Sequence, residues 1–243
     1  MKKIFFMMMA LILVAPAFAQ DDDGEELIIT KKERSNAFFI GPKIGGTMST
    51  MSQPNEGNLY DGSAFGFSGG LAMNMRFGKA SENSPAGTGY FGAGLELKYR
   101  QSAVKTIGTD EAGKENANLS LSYFDVPVYI HIHPFAKYRS MNTFYVELGA
   151  SFGGTLGRSP KSLTVTNPSA DYSIVTYNID TDGSKLKGMD VRPLAGLGYT
   201  IPNTGLDINA RYYIGTSKLA GNFPCKMSSL EISLSWMFNV AKF

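Results

Sequence analysis

Residues 91–100 read Phe-Gly-Ala-Gly-Leu-Glu-Leu-Lys-Tyr-Arg, and this stretch decides the fold class. Apolar side chains occupy alternate positions, and Glu96, Lys98 and Arg100 stand between them. Successive side chains of a β-strand point to opposite faces. The stretch therefore predicts a strand with one apolar face and one charged face.

The same alternation recurs along the chain and predicts eight strands. Their expected bounds are 37–48, 64–77, 88–103, 118–133, 142–157, 187–200, 204–217 and 228–240. An even number of antiparallel strands, with both chain ends on one side, is typical of bacterial outer-membrane barrels. The predicted fold class is all-β: a transmembrane antiparallel up-and-down β-barrel of eight strands.

A soluble sandwich or lipocalin-like barrel is the alternative, because it alternates in the same way with its apolar face turned inward. Aromatic residues end the apolar faces, which is typical of a membrane barrel; they are Phe65, Phe77, Phe91, Tyr99, Tyr199, Trp236 and Phe238. The connections expected outside the cell are also longer than those expected in the periplasm. The outer ones are 49–63, 104–117, 158–186 and 218–227, and the inner ones are 78–87, 134–141 and 201–203.

The first residues have the pattern of a secretory signal peptide. Lys2 and Lys3 precede an apolar run, and Ala17-Phe18-Ala19 offers small residues for cleavage before Gln20. The run is about half as long as a membrane-spanning helix, and a retained anchor is the alternative. The sequence predicts a signal peptide over 1–19, a flexible periplasmic lead-in over 20–36 and an outer-membrane β-barrel domain over 37–243.

Charge and cysteine content exclude several classes of function. The chain has 23 basic and 21 acidic residues, and removal of 1–19 takes away two lysines and leaves no net charge. A neutral protein is not expected to bind nucleic acid. Cys225 is the single cysteine, so no internal disulfide forms. One cysteine and two histidines also do not provide a Cys/His metal site.

Charged residues on the polar faces are expected to point into the barrel. They are Lys43, Arg76, Glu96, Lys98, Arg100, Asp125, Glu147, Asp190, Arg192, Asp207, Arg211 and Glu231. The interior of eight strands is only wide enough for side chains, and a buried charge without a partner is unfavourable. We therefore expect a salt-bridged, closed lumen. A proton or ion relay is the alternative.

Two pairings are expected from the strand order. Asp125 should face Lys98 and Arg100 on the neighbouring strand. Glu231 should lie next to Arg211 and Lys43, because its strand neighbours both of theirs.

His131 and His133 are expected to point inward, with Asp125 above them on the same strand. A His–Asp pair can serve general-base catalysis. The sequence places no serine or second carboxylate beside the histidines, so a packing role is favoured. No catalytic, cofactor-binding or metal-binding residue is predicted, and an enzyme acting on lipid or peptide is a distant alternative.

Four short segments resemble the PorT-type outer-membrane β-barrel family of Bacteroidetes. They are Tyr123-Phe124-Asp125-Val126-Pro127-Val128, Ala195–Tyr199, Asn209–Gly215 and Leu230–Phe238. The resemblance covers most of residues 37–240. It implies an eight-stranded barrel and carries no shared catalytic residues. The namesake of the family is tied to protein secretion and gliding, so the resemblance also implies a secretion component as an alternative function.

The closing strand resembles the signal that the barrel-assembly machinery reads, and its expected residues are Leu234, Trp236 and Phe238. Phe243 is out of phase with this set. Either Phe238 ends the signal and 239–243 overhang, or a bulge shifts the register. The unbroken alternation up to Phe238 favours the first interpretation.

The long connection 158–186 is expected to contain a hairpin, formed by 162–166 and 173–177, with a turn at Asp182-Gly183. The hypothesis that these features favour is a non-enzymatic outer-membrane barrel with a closed lumen. Its outer loops or periplasmic face would serve binding or envelope structure. The expected partners are outer-membrane lipid, the barrel-assembly machinery during biogenesis, and an envelope or secretion protein.

Overall fold

Eight antiparallel strands close into a barrel in the computed structural model of the chain. The structure describes residues 35–52, 60–110, 112–138, 143–167, 173–178, 190–202, 204–216 and 225–243. The signal peptide predicted over 1–19 and most of the lead-in predicted over 20–36 lie outside these residues. Among the described residues, no helix is long and apolar enough to cross a membrane.

The barrel strands follow one another around the wall, and each pairs with its chain neighbour. The described residues form twelve strands: β1 Ala37–Ser52, β2 Tyr60–Phe77, β3 Phe91–Thr106, β4 Thr109–Asp110, β5 Asn118–Ile132, β6 Phe144–Ser159, β7 Ser162–Asn167, β8 Ser173–Asn178, β9 Asp190–Thr200, β10 Leu206–Tyr213, β11 Lys226–Trp236 and β12 Phe238–Lys242. The barrel wall consists of β1, β2, β3, β5, β6, β9, β10 and β11, and β12 continues β11. The order in the main sheet is β11-β10-β9-β6-β5-β3-β2-β1, and β1 pairs with β11 to close it. The eight-stranded antiparallel barrel predicted from the sequence is confirmed.

A second, three-stranded sheet has the order β4-β7-β8. Strands β7 and β8 pair antiparallel from Ser162↔Asn178 to Asn167↔Ser173. The predicted hairpin in the long connection is therefore confirmed. The turn expected at Asp182-Gly183 lies outside the described residues.

The two ends of the barrel differ in what closes them. We call the end that holds Ser35 and Phe243 the inner end, and the opposite end the outer end. At the inner end, the backbone N–H of Asn36 donates to the carbonyl of Phe243 at 2.9 Å, and that of Gly87 donates to the carbonyl of Ser35 at 2.8 Å. Hydrogen bonds thus tie the beginning and the end of the barrel to the β2–β3 connection.

The expected contrast in connection length is only partly found. The β6–β9 connection at the outer end is the longest, but the β1–β2 connection there, 53–59, is shorter than the β2–β3 connection 78–90 at the inner end. The prediction for this pair was wrong. The reason is that β1 continues to Ser52 and β2 begins at Tyr60, so the strands use residues assigned to the loop.

The last barrel strand consists of β11 and β12, which are separated at Met237. Residues 239–242 do not overhang: β12 pairs with β1, with a register shift that follows the pair Phe39↔Asn239. The extra residue of this bulge moves Phe243 into phase with the outward side chains, and 51% of Phe243 is exposed. The overhang expected from the sequence was wrong, and the bulge alternative is what the structure shows.

Candidate functional site inside the barrel

Alternation along the barrel strands sorts side chains into an exposed apolar outer face and a buried polar inner face. Ile44 and Phe65 on the outer face are 66% and 84% exposed. The inner face buries ten of the predicted interior charges almost completely: Lys43, Glu96, Lys98, Arg100, Asp125, Glu147, Arg192, Asp207, Arg211 and Glu231. Arg76 lies apart from them near the inner end, where it donates to the carbonyls of Thr88 and Gly89, both at 2.9 Å.

Glu96 of β3 is the centre of the interior charge network. Its carboxylate accepts from Lys43 Nζ at 2.8 Å and from Arg211 Nη2 at 3.1 Å. The Tyr129 hydroxyl donates to Oε1 at 2.8 Å, and Lys98 Nζ lies 3.5 Å from Oε2. Contacts from four strands thus converge on one carboxylate, which satisfies the pairing that a buried charge requires.

Glu147 of β6 is the second acidic centre. Arg211 bridges it to Glu96, because Arg211 Nη2 lies 2.8 Å from Glu147 Oε2. Asn209 Nδ2 donates to the same oxygen at 2.9 Å, and His131 Nε2 lies 3.1 Å from Oε1. The expectation that no second carboxylate stands beside the histidines was wrong. The register pairs His131 directly with Glu147, and correct alignment of β5 with β6 would have indicated this contact.

Glu231 of β11 pairs across the lumen rather than with its strand neighbours. Lys98 Nζ lies 2.7 Å from Glu231 Oε2 and donates to the Tyr213 hydroxyl at 2.6 Å. Arg211 stands opposite Glu231 in the register, but its guanidinium reaches Glu96 and Glu147 instead. The strand of Glu231 lies between those of Arg211 and Lys43, as expected. The ion partner of Glu231 is nevertheless Lys98, because long side chains in a narrow lumen reach across it.

Asp125 of β5 pairs with Arg100, whose Nε donates to Oδ2. Lys98, directly opposite Asp125 in the register, is not its ion partner. A Cβ at Gly153 on β6 would meet Asp125 Oδ1, so a residue without a side chain makes room for this carboxylate. On β9, Arg192 Nε lies 2.5 Å from Asp190 Oδ2.

Aromatic rings fill the space between the interior cations, a feature that the sequence analysis did not predict. The guanidiniums of Arg192 and Arg100 lie 4.2 and 5.0 Å from the ring centre of Tyr123. Farther toward the inner end, the His131 ring stacks on Tyr129 and Tyr145, with centroid distances of 5.0 and 4.7 Å. Cation–π and stacking contacts of this kind stabilise buried charges and also exclude water.

Three serines, on β1, β3 and β11, lie toward the outer end from the charges. Ser49 donates to Ser229 at 3.2 Å, and the hydroxyls of Ser102 and Ser229 lie 3.1 Å apart. Arg100 Nη1 donates to Ser102 at 2.7 Å and to Ser229 at 3.1 Å. This serine layer joins the charges to the next level of the lumen.

An apolar plug fills the outer end of the interior. Its buried members are Met51, Val104, Ala117, Leu119, Leu121, Tyr123, Leu163, Cys225 and Met227. Leu163 comes from β7, so the second sheet contributes to the plug. Charges, serines and apolar side chains thus fill successive levels of the lumen.

The inner histidines take part in packing rather than in a catalytic dyad with Asp125, which is paired with Arg100. Near them, Asp207 accepts hydrogen bonds from the Tyr145 hydroxyl at 2.6 Å and from Thr200 at 2.8 Å. Within the part of the chain that the structure describes, no group of three or more His, Cys, Asp or Glu side chains could hold a metal ion.

An apolar exterior, a charged interior and a closed antiparallel wall together define an outer-membrane β-barrel protein. The chain belongs to the outer membrane protein beta-barrel domain family, whose family model matches residues 18–221. No curated protein matches the sequence.

Several solved structures are similar to the chain at low sequence identity. Neisserial surface protein A is 13% identical, with 84% of this chain and 99% of that chain covered and a TM-score of 0.41. The outer membrane protein OprG from Pseudomonas aeruginosa is 12% identical, with 86% and 98% covered and a TM-score of 0.42. Ail, the attachment invasion locus protein of Yersinia pestis, is 13% identical, with 83% and 99% covered and a TM-score of 0.38.

Proposed function

We propose that the protein is a non-enzymatic outer-membrane barrel with a closed lumen, whose outer surface serves contacts at the cell envelope. The observation that carries this proposal is the filled interior. The ion pairs around Glu96 and Glu147 cross the lumen, and the apolar plug lies above them. A barrel of eight strands has no space for a channel once such side chains are in place.

The experiment that tests the closed lumen is conductance in planar lipid bilayers. Purified, folded protein should give no steady conductance steps at neutral pH and moderate salt. The matched variant Glu96→Ala with Arg211→Ala removes the centre of the network and should raise the frequency of current bursts. A continuous current through the unaltered protein would contradict the proposal and would favour transport.

A role in a protein-secretion or envelope-assembly system, as in PorT-type barrels, is the second candidate. The observation that favours it is the bonded inner end, where Ser35, Asn36 and Phe243 form an ordered surface with the β2–β3 connection. A periplasmic partner would approach from this side.

A photo-crosslinking residue at Tyr138, which is 62% exposed in the inner β5–β6 connection, tests the second candidate. The same residue at Lys114, exposed in the β3–β5 connection at the outer end, is the control. A secretion component that is crosslinked from the inner position alone would support this role. The same products from both positions would count against it.

A further inference from the structure

The outward face of four strands, β1, β3, β5 and β11, changes from apolar to polar before the strands end. Met48 of β1, Phe124 of β5 and Leu230 of β11 are the last apolar outward residues on their strands. On β3 the last large one is Tyr99, and the buried Ala103 is the one apolar residue of that face beyond it. The outward residues beyond them form a surface that we call the polar wall: Thr50, Ser52, Gln101, Lys105, Asn118, Ser120, Ser122, Lys226 and Ser228. The pairs Thr50↔Ser228 and Gln101↔Ser122 show that the polar residues of β1 adjoin those of β11, and that those of β3 adjoin those of β5.

The interior changes in the opposite sense at the same level. The inward residues behind the apolar outer face are charged, and they include Arg100, Asp125 and Glu231. The inward residues behind the polar wall are apolar and belong to the plug. Leu119 and Met227, for example, are 0% and 1% exposed. A polar exterior over an apolar core is the arrangement of a β-protein in water, whereas the reverse holds within a bilayer.

Strand length supports a boundary at this level. The apolar outward face of β3 runs from Phe91 to Tyr99, nine residues, and a tilted strand crosses the hydrocarbon core in about 9–11 residues. Strand β3 has 16 residues and therefore continues past the core. At about 3.3 Å per residue and a tilt of about 40°, Lys105 stands about 15 Å above Tyr99. The headgroup layer on each side of a bilayer is about 5–8 Å thick.

The chemistry of the polar wall fits sugars and phosphates. Hydroxyl and amide groups supply donors and acceptors, and some already pair across strands: Gln101 donates to Ser120 at 2.8 Å, and the hydroxyls of Tyr99 and Ser122 lie 2.7 Å apart. Lys105 and Lys226 add exposed ammonium groups, which attract phosphate. Among the described residues of these four strands and of β2 between them, Asp61 is the single exposed carboxylate.

We propose that the polar wall stands outside the hydrocarbon core and contacts the sugar and phosphate headgroups of the surrounding outer-leaflet glycolipid. The surface begins directly above the aromatic edge of the apolar face, where Phe67 and Tyr99 pack with ring centroids 5.2 Å apart. It begins at the height at which such headgroups lie and continues above it, toward the sugars of a glycolipid. This inference deepens the proposed function by naming a partner of the outer surface, and it requires the membrane location but not the closed lumen.

The level of the boundary is tested with a single tryptophan as a depth probe. In a Trp236→Phe background, Ser122→Trp is compared with Phe124→Trp, two positions lower on the same face. The protein is folded into phosphatidylcholine vesicles with brominated acyl chains. Bromine should quench the tryptophan fluorescence of Phe124→Trp strongly and that of Ser122→Trp weakly. On β1, Met48→Trp should likewise be quenched strongly and Thr50→Trp weakly. Equal quenching within both pairs would place the wall in the hydrocarbon core and would overturn the proposal.

Headgroup contact is tested by thermal unfolding in vesicles with and without lipopolysaccharide. Lipopolysaccharide should raise the unfolding temperature of the unaltered protein, because a ligand that binds the folded state stabilises it. Lys105→Gln with Lys226→Gln should lose most of this gain and should behave normally in phosphatidylcholine alone. The control Lys137→Gln with Lys242→Gln removes two exposed lysines of the inner end and should keep the gain.

Two results of the unfolding experiment would overturn the headgroup contact: no gain for the unaltered protein, or an equal gain for the double variant at the wall. Neither result bears on the closed lumen. An open lumen would appear as conductance, and the glycolipid measurements do not depend on it.

Discussion

Single residues decide which charges pair inside the barrel. The Arg100–Asp125 pair can be tested by mutation independently of the network around Glu96. Both side chains are almost fully buried, at 0% and 1% exposure. Asp125→Ala should destabilise the barrel by about 3–5 kcal/mol, because it leaves the Arg100 guanidinium buried without its carboxylate. Urea unfolding of the refolded protein, followed by circular dichroism, measures the loss.

The compensating change identifies the partner of Asp125. Arg100→Met in the Asp125→Ala background should recover part of the lost stability, since no unpaired charge then remains at this level. Lys98→Met in the same background should make the protein less stable still, because Lys98 pairs with Glu231. If Lys98→Met restored stability and Arg100→Met did not, Lys98 rather than Arg100 would be the ion partner of Asp125.

Elements depend on their neighbours for their register, and β12 shows this most clearly. Deletion of 239–243 should sharply lower the yield of folded barrel. It removes the pairs Ala37↔Lys242 and Phe38↔Ala241, and also the outward ring of Phe243. Refolding into lipid vesicles, followed by gel mobility without heating, measures the yield.

Substitutions in the proposed assembly signal provide the comparison for the deletion. Trp236→Asp and Phe238→Asp place a charge on the lipid-facing side and should also lower the yield. Such a charge costs on the order of a few kcal/mol at the bilayer midplane and less near the interface. Phe243→Leu keeps an apolar side chain in phase and should fold normally. A deletion variant that folds as well as the full chain would show that β12 is dispensable and that Phe238 ends the signal.

The whole molecule has a direction in the membrane, which proteolysis of intact cells can establish. The β6–β9 connection, 160–189, is the longest and should be cut by protease added outside, because exposed loops are the preferred sites of cleavage. The β5–β6 connection, 133–143, should be cut only after the outer membrane is opened. Cleavage in the reverse order would invert the barrel and would place the polar wall in the periplasm.

Export is the second property of the whole molecule that is open to measurement. The pattern of residues 1–19 predicts a mature protein that begins at Gln20 and sediments with outer-membrane vesicles. Amino-terminal sequencing of the purified protein is the direct check. A sequence that begins at Met1 would contradict cleavage and would favour the retained anchor.

The sequence by itself determined the barrel, because alternation is a local property of each strand. The residues from Phe91 to Arg100 define two faces whatever the rest of the chain does, and repetition of this pattern eight times predicts an even-stranded wall. The same alternation identified the charged residues that fill the lumen. It also placed Asp125 beside Arg100 on the neighbouring strand. Local spacing carries no information about distance across the barrel, and so it did not identify the partners that meet across the lumen.

Tertiary structure decided the ion pairs, the register at the end of the chain and the position of the polar wall. Glu231 meets Lys98 because closure of the sheet brings β11 and β3 to facing sides of a narrow lumen. Phe243 turns outward because a bulge against β1 inserts one residue. Leu119 and Leu121 follow the same alternation as Asp125, but they belong to a buried apolar cluster that includes Leu163 of β7 and Cys225. The fold therefore forms an apolar core at the outer end, where alternation alone did not predict one.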